Sequence, residues 1–239
     1  MRLLALLAAF VTSLPVDAAR CTAESGPGTA ALVELYTSEG CSSCPPAERW
    51  LGTLAPRAAA GSIVPLALYV DYWDYIRWQD PYAKRELSLR QRKLSPRQRM
   101  ALVYTPQVML QGRDFRHWGS RTFDDAVARI NAQPARAQLH LEILSADSDA
   151  LHVQARARLI TPVEEAALYI AAYRSGLETR KHDHVVLEWE GPFGIDQELS
   201  QRRRLPLVPR ASPVNSGVAA FVQSRRTGEV LQALLRSAC

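Results

Sequence analysis

Residues 30–36 and 63–70 are apolar almost without interruption, and short continuous runs of this kind, bounded by turn residues, predict buried strands. Only Glu34 breaks the first run, between Val33 and Leu35, and Pro65 stands near the start of the second. Residues 44–54 predict a helix that turns Trp50, Leu51 and Leu54 to a core. Pro45 and Pro46 fit only in its first turn, so the helix begins at Cys44 or Pro45. After the second run, Asp71-Tyr72-Trp73-Asp74-Tyr75-Ile76-Arg77-Trp78 is aromatic and acidic, too polar for a core strand. Asp80-Pro81 is an N-cap followed by the favoured first helical residue, predicting a helix to about residue 94, and Ser95-Pro96 repeats the signal for a shorter one to about residue 101. Lys84, Arg85, Arg90, Arg92, Lys93, Arg97 and Arg99 make this pair basic, the usual mark of solvated faces. A strand over 103–110 with Pro106 at its opening, an edge strand over 115–118, and an amphipathic helix over 122–130 capped by Thr122 complete the first half. The polar link 131–135 sets a boundary.

Beyond that link the period changes. Residues 139–143 and 151–159 alternate apolar and polar, joined by a polar turn at 145–149. Further strands are predicted at 167–173, 185–190 and 218–222, and Arg226-Thr227-Gly228 turns a hairpin back through 229–235. The expectation is an α/β domain over 30–134 followed by an antiparallel β-sandwich-like domain over 135–239. His182 and His184 share a face if extended, which allows a metal pair or an ordinary polar strand end.

Composition narrows the setting. Arg2, an apolar stretch over 3–11 and Val16-Asp17-Ala18 have the layout of a secretory signal over residues 1–18, too short to span a bilayer. Arg20 before Cys21 departs from a lipoprotein signal. The expectation is an exported chain, periplasmic or secreted, with no stable membrane insertion after cleavage. A net charge of +5, carried by arginines spread along the chain, points to solubility rather than nucleic acid. No Gly-rich phosphate loop, zinc signature or repeat is visible, and no cofactor is indicated. All four cysteines follow the signal, and an even count in an exported chain favours disulfides. Pairing Cys41 with Cys44 leaves Cys21 and Cys239 near the two ends: either they are joined, a clamp worth roughly 5 kcal/mol in the chain-entropy model, less any strain, or one or both stay free on frayed ends.

The chemistry centres on Glu39-Gly40-Cys41-Ser42-Ser43-Cys44-Pro45-Pro46. Two thiols separated by two residues at a helix start can close a disulfide within one turn, and the helix dipole favours a thiolate on the first. Cys41 is then an exposed nucleophile and Cys44 the resolving thiol; a static disulfide and half of a metal site are the alternatives. Glu34, a carboxyl on a buried strand, is expected to be raised by desolvation and to take the proton of Cys44, or else to point into solvent.

The order strand, Cys41-Ser42-Ser43-Cys44, helix, strand, helical insertion, then Thr105-Pro106 opening a strand, resembles the thioredoxin superfamily. The resemblance implies a thioredoxin-like fold for residues 30–134, a cis Thr105–Pro106 bond shaping a substrate groove, and Glu34 near the position of the buried acid. More closely, Glu39 to Glu48, Asp71-Tyr72-Trp73-Asp74 and Tyr104-Thr105-Pro106-Gln107 are similar to an uncharacterised family of exported bacterial thioredoxin-like proteins with a C-terminal β region. No Trp precedes Cys41, and Ser42-Ser43 replaces Gly-Pro, which leaves the direction of electron flow open. The expected function is thiol–disulfide exchange with protein thiols or disulfides, served by an unidentified redox partner, with Thr105, Pro106, Tyr72 and Trp73 contacting substrate. A binding protein with a structural disulfide and a soft-metal carrier, for example of copper, are the other readings.

Overall fold

Strands β2 (Ala31–Thr37) and β3 (Ile63–Tyr69) are buried at every position, as their apolar runs require, and pair in parallel from Ala31 opposite Ile63 to Thr37 opposite Tyr69. β1 (Thr22–Glu24) precedes them. The computed structural model describes residues 21–75, 79–95, 103–177, 182–208 and 214–239. The signal at 1–18, the shorter helix at 96–101, and Ile76 to Trp78 lie outside them. Helices α1 (Pro45–Gly52) and α2 (Ala55–Ala59) connect β2 to β3. A 3-10 turn (Asp71–Trp73), α3 (Arg85–Leu94), β4 (Gln107–Leu110), β5 (Arg113–Asp114) and α4 (Arg121–Asn131) follow. The remaining described elements are strands: β6 (Ala137–Ala146), β7 (Ala150–Leu159), β8 (Ala166–Arg174), β9 (Val185–Gly194), β10 (Glu198–Pro206), β11 (Ser216–Ser224) and β12 (Val230–Ser237).

These strands form two sheets, an eight-stranded one in the order β12-β11-β8-β9-β3-β2-β4-β5 and a four-stranded one in the order β1-β6-β7-β10. The expectation of an α/β thioredoxin-like domain followed by an antiparallel β-sandwich-like domain is therefore overturned. The chain is mostly β-sheet, and its larger sheet draws strands from both sides of residue 134. The join is at β3, whose free edge takes β9 in parallel: Ala67 lies opposite Val185, and its N–H donates to the His184 carbonyl at 2.8 Å. A buried strand left with an unpaired edge is costly, and β9 covers it.

The alternation in the second half serves two cores. Leu168, Ile170, Ala172, Val218, Ala220 and Val222 pack with Leu139, Leu141 and Val153 of the smaller sheet. Their neighbours Ala167, Tyr169, Ala171, Ala219 and Phe221 pack on the opposite face with Leu87 and Leu94 of α3.

Local readings differ in several places, among them β4, which is strand from Gln107 rather than from 103. The helix expected from Asp80 begins at Arg85, after a turn in which one Asp80 oxygen accepts the Tyr82 N–H while the other holds the Glu39 loop. α4 begins after Ser120 rather than Thr122 and has no side-chain cap. The edge strand is Arg113–Asp114, while Phe115 and Trp118 turn inward against Phe123 and Trp50, ring centres 5.9 and 5.0 Å apart. β10 alternates exposed and partly buried positions, but Arg202, Arg203 and Arg204 hide its period from a hydropathy reading.

β1 and β12 bring the described ends together, and Cys21 and Cys239 are disulfide-bonded with Cα atoms 5.9 Å apart. Non-reducing peptide mapping is expected to recover the Cys21–Cys239 linked pair, and a Cys239→Ser variant to lose about 2–4 kcal/mol in chemical denaturation. A free thiol at either position in the native protein contradicts the clamp.

Candidate functional site

The second disulfide, Cys41–Cys44, has Cα atoms 5.4 Å apart and stands where β2 hands over to α1. The loop before it is held by Asp80. One carboxylate oxygen accepts the Ser38 hydroxyl at 3.0 Å and the Glu39 N–H at 2.7 Å, and the other accepts the Tyr82 N–H at 3.0 Å. Burial pushes the Asp80 carboxyl up, against the pull of those backbone donors. The turn is then closed by backbone bonds from Cys41 N–H to Ser38 O at 3.1 Å and from Cys44 N–H to Cys41 O at 3.2 Å.

Cys44 is the N-cap of α1, which starts at Pro45 as its two prolines require. Those prolines carry no N–H, and the amides of Ala47 and Glu48 donate to the Cys44 carbonyl at 2.9 and 3.2 Å. The helix start thus offers Cys41 a dipole but none of these N–H donors. Nor is Cys41 the exposed thiol expected: it is 1% exposed and Cys44 0%, while Ser42 and Ser43 between them are open to solvent. The ring buries its sulfurs, and the Ser43 hydroxyl lies 3.5 Å from Cys41 Sγ.

The other sequence candidates sort by sheet geometry. Thr37 lies opposite Tyr69 on β3, and Tyr36 opposite Gln107 on β4, so the dithiol loop, the Asp71–Trp73 turn and Thr105–Pro106 share one end of the sheet. The Thr105–Pro106 bond is cis, as the resemblance implied. Trp73 Nε1 donates to Thr105 Oγ1 at 2.8 Å, and Tyr72 donates to Gln91 Oε1 at 3.1 Å. Gln91 in turn donates to the Tyr104 carbonyl at 2.9 Å. Tyr104, Pro106, Val108, Phe115, Arg116 and Trp118 line an open groove of about 430 Å³ beside the cis bond.

Glu34 is not brought to the dithiol. Val33 and Leu35 pack with Ala47 and Leu51 of α1, whereas Leu32 and Tyr36 pack with Leu87 and Leu94 of α3, so the side chain of Glu34 emerges on the α3 face. It is fully buried there and ion-paired: Arg90 Nε and Nη2 reach its two oxygens at 2.5 and 3.2 Å, and the Tyr36 hydroxyl donates at 3.2 Å. Neither the proton-transfer role nor the solvent-facing alternative describes this carboxylate, because its oxygens are taken by Arg90 and Tyr36. Arg90 itself, expected on a solvated face, is 8% exposed.

The acids beside the dithiol are Glu39 and Glu48, with His182 between them. His182 Nε2 hydrogen-bonds Glu39 Oε1, its Nδ1 lies 3.6 Å from Glu48 Oε2, and its ring meets the edge of Tyr69 at 5.7 Å. The Thr37 hydroxyl donates to the other Glu48 oxygen at 2.6 Å. Tyr69 is pushed well above its ordinary range by burial first, then by the charges of Glu48, Glu39 and Asp80. His184 faces away, stacked on Tyr173 at 5.2 Å, since its φ of 56° breaks the extended path that a shared histidine face needs. Burial lowers His184 to about 4. Among the described residues no cluster of three or more His, Cys, Asp or Glu is placed to hold a metal. Sequence reading missed this trio because His182 is 143 residues from Glu39, although the four-residue step from Cys44 to Glu48 on one helix is visible in the sequence.

Two solved structures share the fold. A crystal structure of a protein from Agrobacterium tumefaciens aligns with a TM-score of 0.65 at 24% identity, over 89% of this chain and 96% of that one. HBP35 of Porphyromonas gingivalis aligns with a TM-score of 0.67 at 11% identity, over 89% of this chain and 76% of that one. No curated protein matches the chain. A family model described as "Protein of unknown function (DUF1223)" matches residues 32–223.

Proposed function

Since the chain belongs to that family of unknown function, its own dithiol must carry the reading, and we propose that it is an extracytoplasmic thiol–disulfide oxidoreductase acting on protein disulfides or thiols. The carrying observation is a Cys41–Cys44 disulfide closed at a helix start and sharing one sheet end with the cis Thr105–Pro106 bond and Trp73. In the reduced state the Cys41 thiolate attacks a substrate disulfide, forming a mixed disulfide and releasing one substrate thiolate, which takes a proton. The Cys44 thiolate then attacks the Cys41 sulfur, and the second substrate thiol leaves. Two electrons pass to the substrate, and a partner dithiol restores the reduced pair. Run in reverse, the same steps donate a disulfide. The groove along Tyr104, Pro106 and Trp118 is the place for the substrate backbone. Two disulfides fit an oxidising compartment, where such exchange operates.

The burial of both sulfurs favours a second reading, a static staple between β2 and α1. The equilibrium reduction potential of the pair separates them. Exchange proteins fall between about −270 and −120 mV, and structural disulfides below about −300 mV. A value in the upper range, with catalysed reduction of a protein disulfide, supports the oxidoreductase; a value below the limit with no turnover removes it.

A further inference from the structure

We infer that Glu48, His182 and Glu39 form a proton relay serving the thiol of Cys44, an inference that rests on the oxidoreductase reading. Cys44, Ala47, Glu48 and Leu51 are all buried, and residues four apart on a helix are side-chain neighbours, so Glu48 lies next to Cys44 on the inner face of α1. The Thr37 bond fixes one Glu48 oxygen and leaves the other toward His182 Nδ1. His182 is locked in turn by Glu39 and by the pairing of its backbone with Leu177. Side-chain exposure is 7% at Glu48, 2% at His182 and 12% at Glu39, so the chain of groups runs from the buried thiol past a buried ring to the loop that carries Cys41.

The resolving step needs this. Cys44, 0% exposed in the closed pair, must lose a proton before it can attack the Cys41 sulfur. The Glu48 carboxylate takes that proton as the Cys41–Cys44 bond forms and the substrate thiolate leaves. His182 then carries a proton between Glu48 and Glu39, which exchanges it with solvent. The other polar and titratable groups facing the site include Thr37 from β2, Tyr69 from β3, Asp80 and Tyr82 from the segment before α3, and Arg174 from β8, whose charge acts on Tyr82. Tyr69 stays neutral, and Asp80 is occupied by the loop it holds. Cys44 and Glu48 come from the first half of the chain and His182 from the second, which gives the shared sheet a chemical use as well as a structural one.

The test uses the mixed disulfide of Cys41 with thionitrobenzoate, made on full-length protein after mild reduction of the Cys41–Cys44 bond. Release of thionitrobenzoate reads the attack by Cys44 across pH. Glu48→Gln is expected to slow release about 10-fold or more with Cys41 labelling unchanged, and His182→Gln to slow it less and flatten its pH profile. Thiolate absorbance of Cys44 in the Cys41→Ser protein supplies the discriminating sign. Removing a neighbouring negative charge lowers the thiol's pKa, so a purely electrostatic Glu48 predicts faster release in Glu48→Gln, and a relay predicts slower release from a more acidic thiol. Unchanged or faster release in the Gln variant overturns the relay while leaving the oxidoreductase intact. A wild-type mixed disulfide that never resolves overturns both. If Glu48→Gln does not fold, Glu48→Asp and His182→Gln carry the same comparison.

Discussion

An Arg90→Met variant is expected to lose about 3–5 kcal/mol of stability, because it strands a fully buried carboxylate. Arg90 extends from α3 with Nε and Nη2 on Glu34 of β2, and Nη2 also donates to Gln223 Oε1 of β11 at 3.0 Å. Its guanidinium carbon lies 5.0, 5.0 and 4.9 Å from the ring centres of Tyr169, Trp189 and Phe221, on β8, β9 and β11. One side chain thus ties α3 to strands from both halves of the large sheet. Burial pulls the guanidinium down, the Glu34 carboxylate pulls it up, and the net direction is up, so Arg90 stays charged. A buried pair is worth little against a well-packed apolar pair, yet removing one partner leaves the other unpaired in a low-dielectric interior. An Arg90→Met and Glu34→Leu double variant should therefore recover much of the loss. Urea denaturation of the two single variants and the double gives the coupling energy. Single losses below about 1 kcal/mol would mean that the pair is not sealed from water as the structure has it.

That pair also marks the limit of sequence reading. Glu34 in a buried run announced that some partner was required, but nothing local distinguished Arg90 from the other basic residues of the same stretch. β2 and β3 were legible because strands covered on both faces must be apolar throughout, and β6 and β7 because each has one solvent face. The union of the two halves was not legible, since it rests on a parallel pairing of β3 with β9 more than 100 residues away, and edge pairing leaves no period in the sequence. The dithiol spacing and the proline opening β4 could be placed from local pattern. Asp80 could not: it reads as a helix cap, and it serves instead as the clamp on the loop before Cys41. The Glu48 and His182 contact is another meeting of distant segments, hidden until the sheet is assembled.

A Cys44→Ser variant is expected to accumulate mixed disulfides through Cys41 when incubated with oxidised protein substrate, and Cys41→Ser is expected to form none and to lose all turnover. Exposure does not assign these roles, since both sulfurs are buried in the oxidised pair. Position does. Cys41 lies in a short turn between exposed Gly40 and exposed Ser42 and Ser43, held by backbone bonds and Asp80, so a change in that turn alone would bring its sulfur to a substrate. Cys44 is the cap of α1, on the face that carries Ala47, Glu48 and Leu51 into the core, and to meet a protein substrate it would have to take the helix start with it. On the proposed function, attack therefore begins at Cys41, ahead of the α1 start, and Cys44 completes it from inside. Non-reducing gels followed by mapping of the trapped cysteine read the result directly. Equal trapping by both variants would remove the assignment of roles, and no trapping by either, with turnover absent in the wild type, would leave the pair as a staple between β2 and α1.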